Sequence, residues 1–524
     1  MNSSFADILR QLATSRGLSP ALTFEDQTWS FAQLHEMSSR SANALKAAGV
    51  GQGDRVALLT KNCAECFELM YACNKIGAIF TGLNWRLAPS EIQAIVQDAQ
   101  PKVIIVGAGE EALLTDTTRN LACIRRIVVL GDDFDGWRNA ASDSDPGHSG
   151  SPDEVALLLY TSGTTGLPKG VMLTNQGMSF TPRLAAESWG MGPSSVNLVA
   201  MPMFHIGGCG YGSSTMTVGG HTVLLREVNP VRIIDLIANH KVTHTFLVPT
   251  VVQALLEVPH VKDAELGSME LLMYGAAPMG DVLLRRAMDV LGCQFMQAYG
   301  MTETAGTVVV LPPTDHEPQG PRASLLSSVG RALPWVDMRV VDPHTMNDMP
   351  TGQVGEIWLR SEMVMQGYWN KPQDTSETLL EGGWLRTGDA AYLDADGYIY
   401  LFDRFKDLII SGGENIYPAE IENILNGHPA ILEVAVIGIP HPKWGESPRA
   451  VVVLRQDMQT TQAELIAYTR EHLAHYKCPT SVVFSAQLPR NASGKLLKRE
   501  LRRIYLEEPT AGAAQALSAA HPCN

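Results

Sequence analysis

The sequence predicts an α/β protein, with a large N-terminal domain of mainly parallel sheets and a terminal β region, followed by a small α+β domain. Three observations carry this. The chain has 524 residues, more than a single hydrophobic core serves. Short apolar runs alternate with helical patterns from Phe31 to Val310, as in βαβ units. Past Val336 the apolar runs are cut short by Gly, Asp and Pro, and helix–strand alternation resumes only after Arg404.

Taken in order, Ser30 and Gln33 form a capping box, and Phe31, Leu34, Ala42 and Leu45 recur at helical spacing until Gly49. Residues 56–59 read as strand, 65–76 as helix, 78–81 as strand, 90–97 as helix and 103–106 as strand. Ser, Asp, Gly and Pro make 142–152 a surface loop. The unbroken apolar run 155–160 fits a buried strand. A second alternating block spans 196–310, and 337–341 and 356–359 are short strands of the β region. In the second domain helix 419–425, strands 434–439 and 450–454, helix 463–472 and strand 481–484 form a compact unit. The expected boundaries are 1–403, 404–506 and a disordered, Ala- and Pro-rich tail at 507–524. No internal repeat is present.

Composition narrows the function. Hydrophobic residues are 45% and charged residues 18%, ordinary for a globular protein, and the net charge is −15. Such a surface does not attract nucleic acid or anionic lipid, so an anionic ligand needs a local cluster of donors. No apolar run reaches the ~18 residues of a membrane span. The N-terminus, with Asp7, lacks the pattern of a secretory signal. Eight scattered cysteines fit reduced thiols and a cytoplasmic location. Cys63, Cys66 and Cys73 lie on an apolar helical run without a second ligand pair, which favours core thiols over a metal site.

The sharpest segment is Tyr160-Thr161-Ser162-Gly163-Thr164-Thr165-Gly166-Leu167-Pro168-Lys169-Gly170. Glycines let backbone N–H groups approach a ligand, hydroxyls add donors and Lys169 adds charge, which together suit a polyphosphate. A Walker A loop fails on spacing, because Leu167 and Pro168 separate Gly166 from Lys169 and Gly170 stands where Ser or Thr would hold magnesium. A bare glycine turn would not need four hydroxyls beside a lysine. Five further segments follow in order: Met201-Pro202-Met203-Phe204-His205-Ile206-Gly207-Gly208, Tyr274-Gly275-Ala276-Ala277-Pro278, Tyr299-Gly300-Met301-Thr302-Glu303, Gly383-Trp384-Leu385-Arg386-Thr387-Gly388-Asp389, and Arg404 through Asn415. Pro489-Arg490-Asn491-Ala492-Ser493-Gly494-Lys495 closes the series. Each alone is compatible with a turn or a solvated surface residue. An aromatic face such as Tyr299 suits adenine, a carboxylate such as Glu303 suits a hard cation, and a carboxylate such as Asp389 accepts from a diol.

In this order the segments resemble the adenylate-forming enzymes, which include acyl-CoA synthetases, coumarate-CoA ligases, firefly luciferase and peptide-synthetase adenylation domains, and the resemblance covers nearly the whole chain. It implies an acid–thiol ligase using ATP, Mg2+ and coenzyme A as co-substrate. The loop from Thr161 to Lys169, with Ser162, Gly163, Thr164, Thr165 and Gly166, would hold ATP phosphates, Thr165 being counted among the catalytic residues. Gly275, Ala276, Ala277, Tyr299, Gly300, Met301 and Thr302 would line the nucleotide, Asp389 the ribose, and Arg404 would also reach it. Glu303 would ligate the metal. His205, Gly207, Gly208, Gly210, Gly275 and Ala276 would line the acyl pocket, with His205 at the passage to the thiol. Lys406 would be the hinge of a mobile small domain, Gly412 and Gly413 would meet the pantetheine arm, and Lys495 would be the catalytic lysine.

The implied chemistry is attack of a carboxylate on the α-phosphate with loss of pyrophosphate, then attack of a thiol on the acyl-AMP with loss of AMP. The acid is not an α-amino acid, since His205 follows Phe204 where amino-acid-activating relatives place Asp. Small residues around Gly207–Ser214 suit a medium or long alkyl chain or a ring-bearing acid, although they also suit close helix packing. An acyl-AMP ligase that loads a carrier protein is the nearest rival, and the extra insertion of that type is not evident near 361–371. A luciferase-like oxygenase, an inactive nucleotide-binding relative and a P-loop ATPase are more remote. A small-molecule carboxylic acid is the expected partner, with no nucleic acid and no transmembrane segment, and a homodimer stays open.

Overall fold

The computed structural model describes residues 4–161, 168–404, 407–411, 414–490 and 496–506, with backbone alone at 403, 404 and 415. Two compact units emerge. One gathers the chain up to Met279 with Leu283–Met338 and Trp358–Arg386; the other gathers Gly280–Val282, Arg339–Ile357 and the chain from Thr387 onward.

The first unit holds two large sheets. A nine-stranded sheet has the order Arg331–Ala332, Gly306–Leu311, Gln294–Met301, Leu271–Gly275, His244–Leu247, Val196–Val199, His221–Leu224, Pro20–Phe24, Gln27–Ser30. Its centre, from Gln294–Met301 to Pro20–Phe24, is parallel. A seven-stranded sheet has the order Gly367–Tyr368, Lys169–Thr174, Val155–Thr161, Ile79–Leu83, Arg55–Leu59, Val103–Val106, Arg126–Val129. Its last five strands pair in parallel. Strands such as Val103–Val106 are buried at every position, which is why they read as unbroken apolar runs. A five-stranded sheet built on Asp337–Val341, Gly355–Arg360 and Trp384–Leu393 forms the β region.

Local chemistry sets the helices. In Phe31–Ala47 the Ser30 hydroxyl accepts from the Gln33 N–H, and Gln33 Oε1 accepts from the Ser30 N–H at 2.8 Å. Cys63, Cys66 and Cys73 lie in or next to helix Ala64–Asn74 and are buried as core thiols. Helix Phe5–Ser15, capped reciprocally by Ser4 and Asp7, and helix Lys498–Tyr505 were not expected from sequence.

In the second unit, Glu414–Ile416, Ile409–Ser411, Gly445–Leu454 and Ile431–His441 form an antiparallel path, and Ser481–Phe484 joins Gly445–Leu454 in parallel. Helix Pro418–Asn426 covers it, burying Ile421 and Leu425 against Ile409, Val436 and Ala450. The late helix is tied down by ion pairs of Lys498 with Glu422 at 2.9 Å and Arg502 with Asp407 at 2.8 Å. Among the described residues no helix is long and apolar enough to cross a membrane.

Candidate active site

The phosphate-loop candidate joins two antiparallel strands. Val155–Thr161 pairs with Lys169–Thr174, and Thr161 stands opposite Lys169 at the open end. A Walker loop runs from strand into helix, so this connection gives a structural reason for the failed spacing. Ser162, Gly163, Thr164, Thr165 and Gly166 lie outside the described residues.

Lys169 forms an ion pair with Asp374, and its Nζ stands 5.1 Å from the centre of the Tyr368 ring. Tyr368 in turn donates its hydroxyl to Glu303 Oε1 at 2.9 Å. Burial, then the Glu303 charge, pushes the Tyr368 hydroxyl far above its ordinary value, so it stays a donor. Glu303 is only 7% exposed and has no ion-pair partner among the described residues. Its backbone carbonyl accepts from the Met365 N–H at 2.8 Å. A buried carboxylate without a cation is costly. One oxygen held by Tyr368 and a lysine across the same ring fit a divalent ion bound by this carboxylate and by phosphate oxygens. Among the described residues no group of three or more His, Cys, Asp or Glu could hold a metal ion.

Glu303 is delivered by the turn after strand Gln294–Met301. There Thr304 Oγ1 accepts from the Met301 N–H at 3.1 Å and donates to the Gly306 carbonyl at 2.7 Å. Tyr299, Gly300, Met301 and Thr302 therefore leave the C-terminal end of a parallel strand, where open α/β sheets bind ligands. Gly275 ends the neighbouring strand, in register with Ala298. A Cβ at Gly275 would lie 2.1 Å from the Ala298 carbonyl. Ala276 follows with φ +63°, a left-handed conformation unusual for a residue with a side chain, and Ala277 continues the turn.

His205 is the N-cap of helix Ile206–Thr217. Its Nε2 is buried without a hydrogen-bond partner among the described residues. Burial first, then the positive charge of Arg86, push the imidazole down to about 4, so it is neutral at pH 7. Asn62 fixes the preceding loop: Nδ2 donates to the Met201 and Leu225 carbonyls at 3.0 and 2.9 Å, and Oδ1 accepts from the Met203 N–H at 2.9 Å. A Cβ at Gly207 would meet the Phe246 ring at 3.3 Å, whereas one at Gly208 would stand 2.1 Å from the Pro202 carbonyl and one at Gly210 would strike Ile206 at 2.6 Å. Gly207 thus faces an aromatic ring, and Gly208 serves close packing.

In the second unit Asp389 and Arg404 are direct partners across antiparallel strands Trp384–Leu393 and Ile399–Arg404. Two separate sequence segments are thereby brought to one position. Lys406, Gly412, Gly413 and Lys495 lie outside the described residues. Sequence reading missed Tyr368, Asp374, Thr304 and Asn62. Tyr368 and Glu303 are 65 positions apart, and no local pattern marks the pairing. The Asn62 clamp is likewise invisible without the fold.

A lysine at the end of one sheet, a buried carboxylate after a strand of the other and a neutral histidine at the start of a helix suit an enzyme that handles a polyphosphate and an acyl group. The chain belongs to the AMP-binding enzymes: that family's model matches residues 9–369, and the model of the AMP-binding enzyme C-terminal domain matches residues 420–495. It is 39% identical to a fatty acid–acyl-carrier-protein ligase of Streptomyces coeruleorubidus, over 92% of this chain and 93% of the relative. It is 40% identical to a feruloyl-CoA synthase of Amycolatopsis, over 91% and 94%, and 34% identical to a long-chain-fatty-acid–CoA ligase of Mycobacterium tuberculosis, over 95% and 98%. ATP-bound MatB from Rhodopseudomonas palustris superposes with a TM-score of 0.88 at 31% identity, covering 96% of this chain and 99% of that one. The expected α/β architecture and the ATP-dependent, AMP-forming acid–thiol ligase reaction, with ATP, Mg2+ and coenzyme A, accord with these findings.

Proposed function

We propose that this ligase activates a ring-bearing or medium- to long-chain carboxylic acid, with the following residues in named roles. Lys169 and the loop from Thr161 to Gly166, including Thr165, hold the β- and γ-phosphates. Glu303, oriented by Tyr368, ligates Mg2+, which neutralises phosphate charge when bound. Gly275, Ala276, Ala277, Tyr299, Gly300, Met301 and Thr302 receive the adenosine end, Asp389 takes the ribose, and Arg404 also reaches the nucleotide. His205, Gly207, Gly210, Gly275 and Ala276 border the acid, while Gly208 lets their helix pack against the Pro202 carbonyl. The single observation that carries this reading is the buried Glu303, without an ion-pair partner among the described residues and held by Tyr368, whose ring faces Lys169.

In the first step a carboxylate oxygen forms a bond to the α-phosphorus as the bond to pyrophosphate breaks, with Lys495 offsetting charge on the two anions. In the second the thiol sulfur bonds to the acyl carbon, the thiol gives up its proton, and the bond to AMP breaks. Residues 404–506 act as the mobile domain, turning at Lys406, and Gly412 and Gly413 meet the pantetheine arm. The test is pyrophosphate release over acids graded in length and ring content, with and without coenzyme A. Release with several acids and thioester formed on free coenzyme A are expected; no release with any acid would defeat the assignment.

The carrier-protein ligase relative favours a second reading, in which the acyl group passes to a carrier-bound pantetheine. Thioester on a holo-carrier protein but not on free coenzyme A would select it. A cytoplasmic location and a homodimer complete the proposal, to be checked by cell fractionation and light scattering.

A further inference from the structure

Asp98, near the C-terminal end of helix Pro89–Ala99, reaches two segments of the Lys169–Glu303 site. Its carboxylate accepts from the Tyr160 hydroxyl at 2.7 Å, and Tyr160 stands just before the phosphate loop, opposite Gly170. Burial first, then the bond to Asp98, push that hydroxyl far above its ordinary value, so it remains a donor. The Asp98 carbonyl is among those that a helix C-terminus leaves without an intrahelical partner. It accepts from Trp369 Nε1 at 3.1 Å and from Asn370 Nδ2 at 3.3 Å, in the segment that directly follows Tyr368. The next two carbonyls, of Ala99 and Gln100, accept from Arg55, whose guanidinium carbon lies 4.8 Å from the centre of the Trp369 ring. Trp369 also donates its backbone N–H to the Gly170 carbonyl at 2.7 Å. A Cβ at Gly170 would stand 3.0 Å from the Tyr160 ring and 3.3 Å from Trp369 Cβ. Tyr160, Gly170 and Trp369 thus meet at one place, and Asp98 holds two of them.

We propose that Asp98 is a positioning residue for the metal and polyphosphate end of the site: through Tyr160 it fixes the foot of the phosphate loop, and through Trp369 it fixes the strand whose Tyr368 orients Glu303. This deepens the proposed function and rests on its assignment of Lys169, Glu303 and the loop to Mg2+ and phosphate. None of Asp98, Tyr160 and Trp369 has a proposed contact with a ligand. Glycine has the most conformational freedom to lose, so a glycine-rich segment binds best when the chain entering it is already held. The second arm acts on the other partner of the same ion, since groups that orient a metal ligand tune its affinity. One helix end therefore sets the spacing between the loop and the Glu303 carboxylate.

The experiment measures, by calorimetry on the full chain, the dissociation constants of Mg2+–ATP without acid and of AMP. The ratio of the two isolates the β- and γ-phosphate end. Tyr160→Phe, the loss of one oxygen, and Asp98→Leu remove the same hydrogen bond. Each should weaken Mg2+–ATP by ~10-fold and AMP by less than ~2-fold. The double variant should be no weaker than the worse single one, as expected of two partners in one bond. Asp98→Asn, whose side-chain oxygen still accepts from the phenol, should stay within ~3-fold of wild type for Mg2+–ATP. Trp369→Phe, which removes the other arm, should also weaken Mg2+–ATP more than AMP. A merely structural role would lower the thermal midpoint and weaken both ligands alike, and that result overturns the inference. Unchanged Mg2+–ATP affinity in Tyr160→Phe overturns it as well, whether or not Asp98→Leu folds. Wild type that binds neither Mg2+–ATP nor AMP instead defeats the phosphate assignment on which the inference rests.

Discussion

Tyr368 does two things with one side chain: its hydroxyl holds the Glu303 carboxylate, and its ring faces the Lys169 ammonium. Tyr368→Phe removes the first and keeps the second. The Mg2+ concentration for half-maximal pyrophosphate release should rise ~10–100-fold, as for other groups that orient a metal ligand, while saturating Mg2+ restores most of the rate. An unshifted Mg2+ titration would show that Glu303 needs no such support. His205 gives a second residue-scale prediction, now in pH. Its folded value, about 4, lies below the ordinary histidine value of 6.5, so the unfolded chain binds the extra proton in this window. Its contribution to stability is complete above pH 6.5 and is lost as the pH falls towards 4. The limiting slope is about 1.4 kcal/mol per pH unit. His205→Phe should flatten the fall in unfolding free energy between those values, measured by denaturant titration. The wild-type pH–rate profile should show no His205 titration between pH 6 and 8.

At the scale of elements, helix Ile206–Thr217 carries small residues for two different reasons. A Cβ at Gly208 would lie 2.1 Å from the Pro202 carbonyl, a fixed backbone atom, whereas at Gly207 it would meet only the Phe246 ring at 3.3 Å. Gly208→Ala should therefore destabilise the protein by ~1–3 kcal/mol. Gly207→Ala should keep the thermal midpoint within a few degrees and change acid selectivity instead. Equal effects of both on stability would reduce the helix to a packing element. The glycines themselves were legible in the sequence; the division of labour among them was not, because it depends on which atoms face each Cα. Legibility followed locality elsewhere too. The Ser30–Gln33 cap and the strand Val103–Val106 are written in adjacent residues, through short-range hydrogen bonding and burial on both faces. The strand Gly367–Tyr368 is only two residues long and has no periodicity to read, although it pairs with Lys169–Thr174 and carries Tyr368 to Glu303. The helix Lys498–Tyr505 escaped for another reason: five of its eight residues are charged, and its apolar stripe is as narrow as Leu501 and Tyr505, too short a pattern to stand out.

For the whole molecule, two chemistries that differ in their attacking atom are expected of one chain. The first joins two anions, a carboxylate and a phosphate, and needs a cation beside the bond being made. The second brings a thiol sulfur to a neutral acyl carbon, so the approach is not one of two anions and does not need the same lysine beside the bond being made. Under the proposed roles these demands separate by residue. Lys495→Ala should lower ATP–pyrophosphate exchange by at least ~100-fold, the scale of losing one charge-stabilising group, yet retain thioester formation from supplied acyl-AMP. Lys406→Pro should do the reverse, because fixing φ and removing an N–H at the turning point restricts rotation without touching the first reaction. On the far side of that position Asp407 is already anchored by Arg502 at 2.8 Å, so a change of backbone angle at 406 would carry the helix Lys498–Tyr505 with it. The two half-reactions are followed separately, by exchange of labelled pyrophosphate and by thioester yield from acyl-AMP. A Lys495→Ala enzyme with undiminished exchange, or a Lys406→Pro enzyme that loses both activities in proportion, would break the assignment of one lysine to each step.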